Sequence, residues 1–222
     1  MFKFRISLFA VAALCATSLA AQTKTTVTGS ARWEGEIKAY EVKDKVNPPP
    51  KGAIEFTGSS SIRKWADLAK DFPGKQVFNR GFGGSEISDS IVFADRIVIP
   101  YAPRMVVLYA GDNDLAAGKS PERVFADFQA FLKKIHAALP DTRVAFISIK
   151  PCPLRWRLKD KVEQVNREIA AIKDDKFVFI DVYPSMLGAD GKPKTDLFLS
   201  DNLHPSEKCY KLWAKMIAPY LD

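Results

Sequence analysis

Three adjacent hydroxyls, Ser59, Ser60 and Ser61, stand in the stretch AIEFTGSSSIRKW, where an apolar run hands over to an amphipathic one. Serine at such a junction is either a helix cap in loop material or a nucleophile raised on a tight turn. A hydroxyl is a poor nucleophile until a base takes its proton, and histidine is the usual base. The chain has 2 histidines. His136, in FLKKIHAALP, flanks the apolar stripe of a helical segment and reads as a surface or boundary residue. His204 follows a loop, precedes a helix starting near Pro205, and has Asp201 three positions before it. Within one turn a carboxylate at that spacing can hold the far imidazole nitrogen, fixing the tautomer and stabilising the imidazolium. Acyl transfer also needs donors for a tetrahedral oxyanion. Gly84, in GFGGS, offers an unobstructed backbone N–H; Asn113, in GDND, offers a side-chain amide that Asp112 and Asp114 lack. Each fragment alone reads as an ordinary turn. Together they describe a nucleophile, a base, its orienting carboxylate and two oxyanion donors.

Those residues follow separate structural elements. Short apolar runs at 53–57, 76–79, 105–109, 143–149 and 177–181 read as strands. Helical patterns near 61–71, 86–97, 121–138, 158–173 and 206–219 separate or follow them. The third is the clearest: Ser120 caps it, Pro121 takes its first position, and Val124, Phe128, Phe131, Leu132 and Ile135 form its stripe. Apolar strands alternating with helices predict an α/β fold whose parallel sheet is covered on both faces. In such a sheet, ligands bind at the edge formed by the strands' C-terminal ends. The segments GSSS, RGFGGS, AGDND and KPCPLRW follow the first four strands, and SDNLHP precedes the last helix, so all five should converge there. Within KPCPLRWR, Arg155, Trp156 and Arg157 are candidates to line the mouth, because an aromatic ring between guanidinium groups suits a sugar face or an anion. Covering the domain rim is the other use of those three side chains.

With those blocks in place, the chain resembles the SGNH (GDSL-type) hydrolase superfamily, whose motifs centre on Ser, Gly, Asn and His in that order. The match to its first block is Gly58-Ser59-Ser60, which carries the nucleophile to Ser60, with the Ser60 N–H as a further oxyanion donor. The second block places the oxyanion glycine at Gly84 rather than Gly81 or Gly83. The third falls on Gly111-Asp112-Asn113-Asp114 and the fifth on Asp201-Asn202-Leu203-His204. The resemblance runs from about residue 52 to the C-terminus. It implies a three-layer α/β/α sandwich of flavodoxin-like type with a five-stranded parallel sheet. It also implies a serine esterase working through an acyl-enzyme, with Ser60, Asp201 and His204 catalytic, and with no cofactor or metal. Ser59 stands where the family has Asp, a residue outside the catalytic triad, so altered hydrogen bonding in the turn is expected there.

The flanks and composition bound the rest. Residues 1–20, MFKFRISLFAVAALCATSLA, have the basic start, apolar centre and small-residue end of an export signal, which predicts a secreted or periplasmic protein. Removing them takes away Lys3 and Arg5, so the formal charge of +7 becomes +5. The remaining basic residues are scattered and no nucleic-acid motif is present, which argues against nucleic acid as a partner. Residues 21–51 read as an N-terminal arm: Trp33, Ile37 and Tyr40 share a helical face, and NPPPKG ends the helix as an extended spacer. Residues 52–222 read as a single hydrolase domain. Cys152 and Cys209 are open to either a disulfide or two buried thiols. With two histidines and no zinc spacing, no metal site is expected. The substrate expected is a small or polysaccharide-borne acyl ester, acetyl first, without a stable membrane span. Alternatives are a lysophospholipase- or thioesterase-like acylhydrolase and an inactive carbohydrate-binding domain. A nucleotide-binding loop at GFGGS fails because Glu86 stands where the final glycine would fall.

Overall fold

A computed structural model describes residues 29–222. The expected export signal lies outside the described residues. Five strands, β1 (Ile54–Gly58), β2 (Val77–Gly81), β3 (Met105–Tyr109), β4 (Arg143–Ile147) and β5 (Phe177–Ile180), form one parallel sheet in the order β2-β1-β3-β4-β5. The chain steps from β1 to one neighbour, then crosses back to the other. The strand order therefore reverses between β1 and β3, where an open α/β sheet leaves a crevice for a ligand.

Strand alternation divides the apolar side chains between two cores. Val106 and Leu108 of β3 face one side with Phe146 of β4, beneath α4 (Ile87–Ile97), α6 (Pro121–Ala138) and α7 (Lys159–Ala170). The arm helix α1 (Glu34–Val46) joins this layer, and its Ile37 is fully buried with Phe82 and Phe93. Met105, Val107 and Tyr109 face the other side with Ile54 and Phe56, covered by α2 (Ser60–Arg63), α3 (Leu68–Asp71) and α8 (Glu207–Ile217). There Trp65 stacks on Tyr210 at 4.9 Å and meets Trp213 edge-on. The result is a helix–sheet–helix sandwich, as the sequence pattern predicts.

Two local expectations change. The helix expected near 61–71 is two short helices, α2 and α3, with Trp65 between them. Ile62, Trp65, Leu68 and Phe72 repeat at close to a helical period, yet the chain turns between them. Trp65 enters the core with its Nε1–H donated to Asp71 at 2.7 Å. The GDND segment, expected as a turn, is a one-turn helix α5 (Asp112–Ala116). No helix of the described residues is long and apolar enough to cross a membrane.

Candidate active site

The turn after β1 is shaped by backbone contact. Gly58 has φ +114°, and a Cβ there would lie 2.1 Å from the Tyr109 carbonyl oxygen, so only glycine fits. The next amide, Ser59 N–H, donates to that same carbonyl at 2.9 Å. Ser59 then stands at the N-cap of α2, and Ser60 is the first helical residue. The Ser59 hydroxyl is buried and bonded to nothing among the described residues.

Ser60 Oγ lies 3.1 Å from His204 Nε2, across 144 positions of sequence. His204 Nδ1 lies 2.6 Å from Asp201 Oδ2. The other Asp201 oxygen accepts the Leu203 and His204 backbone N–H groups, each at 2.9 Å. Desolvation pushes the Asp201 carboxyl up, but the His204 ring and the two amides outweigh it and hold it well below the usual carboxylate range. Asp201 is therefore an anion facing one imidazole nitrogen while the serine faces the other. The turn that carries the pair is anchored from both sides. Cys152 Sγ and Leu154 N–H both donate to the Asn202 carbonyl, at 3.2 and 3.1 Å, and Leu199 N–H donates to the His204 carbonyl at 2.8 Å. Cys152 and Cys209 are free thiols, both buried. His136 is elsewhere, on α6 at 3.5 Å from Asp174.

Of the three glycines at the end of β2 and in the loop after it, two have their amides occupied. Gly81 N–H donates to Asn79 Oδ1 at 2.8 Å, and Gly83 N–H to Glu36 Oε2 at 3.1 Å. The exposed Gly84 has no protein acceptor for its amide among the described residues, and neither has Ser60 at the start of α2. A Cβ on Gly84 would meet Asn113 Nδ2 at 3.8 Å, so glycine and amide are neighbours. Asn113 Nδ2 donates one hydrogen to the Ser85 carbonyl at 3.0 Å, which leaves its second N–H available.

Behind Asn113 is a network that motif spacing does not reveal. Arg155 Nη2 donates to Asn113 Oδ1 at 3.0 Å, while Arg155 Nη1 lies 3.3 Å from Asp112 Oδ2. The fully buried Lys150 donates to Asp112 at 2.8 Å, to the Tyr109 hydroxyl at 2.8 Å and to Ser61 Oγ at 3.3 Å. Burial pulls the Lys150 ammonium down, but Asp112 and its other neighbours more than offset this, so it stays charged. Asp112 is held below its ordinary range against burial by Lys150 and Arg155. This network ties together the loops after β1, β3 and β4. It turns the Arg155 guanidinium inward, onto Asn113. Trp156 is half-buried in a narrow cleft shared with Arg155, Asp112 and Tyr183, and Arg157 is exposed.

A Ser–His–Asp arrangement at the switch point of a parallel α/β sheet has the geometry that serine hydrolases use. The chain belongs to the GDSL-like lipase/acylhydrolase family, whose model matches residues 47–212, and it is an ester-bond hydrolase of the GDSL/SGNH type. Solved structures share the fold. A Streptococcus pneumonia protein assigned to platelet activating factor has TM-score 0.75 and 19% identity, covering 86% of this chain and 94% of its own. A GDSL-like lipase from Bacteroides thetaiotaomicron has TM-score 0.70 and 21% identity, covering 83% and 96%. A carbohydrate esterase family 3 protein from Talaromyces cellulolyticus has TM-score 0.58 and 18% identity, covering 76% and 95%. No curated protein matches the chain.

Proposed function

We propose that this chain is a serine esterase that removes short acyl groups, acetyl first, from small or carbohydrate carriers through an acyl-enzyme on Ser60. The observation that carries the reading is the continuous chain Ser60 Oγ–His204 Nε2 and His204 Nδ1–Asp201, at 3.1 and 2.6 Å. His204 takes the Ser60 proton at Nε2 as Oγ attacks the ester carbonyl carbon. Asp201 holds Nδ1–H and stabilises the imidazolium. The carbonyl oxygen becomes an oxyanion that accepts the Ser60 and Gly84 amides and the free Asn113 N–H. His204 returns its proton to the leaving alkoxide, which departs as the alcohol and leaves the acyl group on Ser60. Water, deprotonated by the same imidazole, repeats the attack and frees the acid.

The preference for a short acyl group on a larger carrier rests on openness. Gly84, Asp201 and Arg157 are exposed and Trp156 is half-buried, and the last two side chains suit a sugar face. The printed activity of the Talaromyces protein, carbohydrate esterase, agrees in kind, though likeness at 18% identity is a likeness of fold. A second reading has its own observation: Leu154 and Leu199, 60% and 44% exposed, flank the His204 turn and would meet the chain of a lipid ester. We propose export to the periplasm or beyond on the strength of residues 1–20, and no nucleic-acid partner.

The test is steady-state hydrolysis of p-nitrophenyl acetate beside acetylated xylan, a lysophospholipid and an acyl-thioester. Ser60→Ala should lower kcat by several orders of magnitude, and a fluorophosphonate should label Ser60 alone. Labelling at Ser59, or activity surviving in Ser60→Ala, would refute the mechanism. Preference for lysophospholipid would replace the first substrate reading with the second.

A further inference from the structure

The family match begins at residue 47, yet the turn Gly29–Trp33 and helix α1 before it reach the oxyanion loop. We infer that this arm is a working part of the active site, with Glu36 as a positioning residue that holds loop 81–85 in the shape that presents the Gly84 amide.

Three arm side chains grip three points of that loop. Tyr40 donates its hydroxyl to the Gly81 carbonyl at 2.5 Å. Glu36 Oε2 accepts Gly83 N–H at 3.1 Å. Trp33 fills the space beside Gly83, where a Cβ would come within 1.9 Å of the indole at a φ of +40°. Two consecutive glycines have more backbone freedom than any other pair, so their conformation must be imposed by contacts. Occupying the Gly83 amide from the arm side fixes the backbone next to Gly84, whose own amide has no acceptor among the described residues.

Glu36 also links this loop to the nucleophile. The same Oε2 atom lies 3.1 Å from Arg63 Nη1, and Arg63 is the last residue of the helix that begins at Ser60. One carboxylate therefore ties the helix of the nucleophile to the loop of the oxyanion donor. Arg63 offsets the negative charge that Glu36 would otherwise place near a developing oxyanion.

The arm is itself firmly placed. Arg96 on α4 binds Glu34 and Glu41 at 2.7 and 2.6 Å, the buried Arg80 binds Asp44 at 2.6 Å, and Trp33 Nε1–H donates to Asp89 at 3.1 Å. These anchors grip α1 on either side of Glu36, so its carboxylate is delivered to Gly83 by a rigid support.

The inference rests on reading Ser60, Gly84 and Asn113 as the esterase machinery, and the experiment separates the two. Glu36→Ala and Glu36→Gln are compared with the unaltered protein for kcat and KM on p-nitrophenyl acetate and for NMR amide exchange at Gly83. Loss of one charge-assisted hydrogen bond predicts a kcat for Glu36→Ala roughly tenfold lower, with KM within about twofold. Glu36→Gln keeps an acceptor oxygen and should retain most of the kcat. Gly83 exchange should accelerate at least about tenfold in Glu36→Ala and little in Glu36→Gln. Unchanged kcat in Glu36→Ala, or a rise in KM in its place, overturns the inference. Equal loss in both variants likewise overturns the role assigned to the acceptor. An unaltered protein that hydrolyses no ester would refute the esterase reading instead. The exchange measurement would then decide alone whether Glu36 holds the loop, and equal Gly83 exchange in the protein and Glu36→Ala would overturn that.

Discussion

Replacing Arg155 by Met keeps most of the side-chain stem and removes the guanidinium that faces Asn113. Arg155 Nη2 donates to Asn113 Oδ1 at 3.0 Å, and the Ser85 carbonyl accepts from Nδ2 at 3.0 Å. Together they fix which end of the amide faces the oxyanion. Direct loss of such a donor costs about 10²–10³ in kcat, which bounds the effect from above. A hydrogen bond from a charged donor is worth about 1.5–3 kcal/mol, or roughly a tenfold to hundredfold change in rate at about 1.4 kcal/mol per decade. The Ser85 anchor survives, and Asp112 keeps Lys150 at 2.8 Å, so no buried charge is left unpaired. Arg155→Met should therefore lower kcat by about tenfold, less than Asn113→Ala does, with KM nearly unchanged. In the Asn113→Ala background the same substitution should cost little more, because nothing remains for it to orient. Steady-state kinetics of the four proteins on p-nitrophenyl acetate measure this. If KM rises while kcat holds, Arg155 binds substrate at the mouth, as its place in KPCPLRW first suggests. Fully additive losses would equally refute the positioning role.

Other outcomes follow from local features. Ser59→Ala removes a buried hydroxyl without a partner, so activity should persist and the thermal midpoint should hold or rise; a large loss of either would mean that the hydroxyl is engaged. Hydrogen bonds hold Asp201 well below the carboxylate range, so it remains ionised down to strongly acid pH. No protonation of Asp201 should therefore enter kcat/KM above about pH 4; a slope of two on acidification in that range would show a carboxylate titrating and contradict the hold on Asp201. Asp201→Asn should lower kcat by about 10²–10⁴ through loss of charge and tautomer control, measured at fixed pH, and a loss below tenfold would contradict the relay. Burial pushes the Cys209 thiol up to about 12, and Cys152 is raised for the same reason. A preparation beginning at residue 21 should react with a thiol reagent slowly when native and at both cysteines once denatured. Rapid native reaction would contradict their burial.

The sheet was legible because each strand is a short, nearly continuous apolar run bounded by turn residues. β3 coincides with its expected range, and the other ends move by a residue or two. Helix α6 was legible from its Ser120 cap and its stripe, and Ser120 Oγ does accept Arg123 N–H. The split at Trp65 was not, because its three-residue spacings imitate a helix while the burial of one large indole dictates the turns. Ser60, Asp201 and His204 could be found because their chemistry needs rare residue types in a motif, and the chain has only 2 histidines. Lys150 and Glu36 could not. Each is one of many charged residues in sequence, and its partners lie 38–89 and 27–47 positions away. Arg155 was noticed as a rim residue, and only the fold turns it toward Asn113.

The 144 positions between Ser60 and His204 mean that the proposed triad exists only once both turns have folded together. The serine turn is synthesised 144 positions before the histidine turn. Helix α8 follows the His204 turn, and beyond it the Leu221 and Asp222 carbonyls are bound by Arg104 and Arg143. A nascent chain thus carries Ser60 without the proposed base until the His204 turn has been made and has docked. Closing so long a loop is costly in entropy, and parallel strand pairings form slowly for the same reason. Recovered esterase rate during refolding should therefore track the last folding step rather than the early collapse of the sheet. A chain cut short before the Asp201–His204 turn would carry the proposed nucleophile without the proposed base.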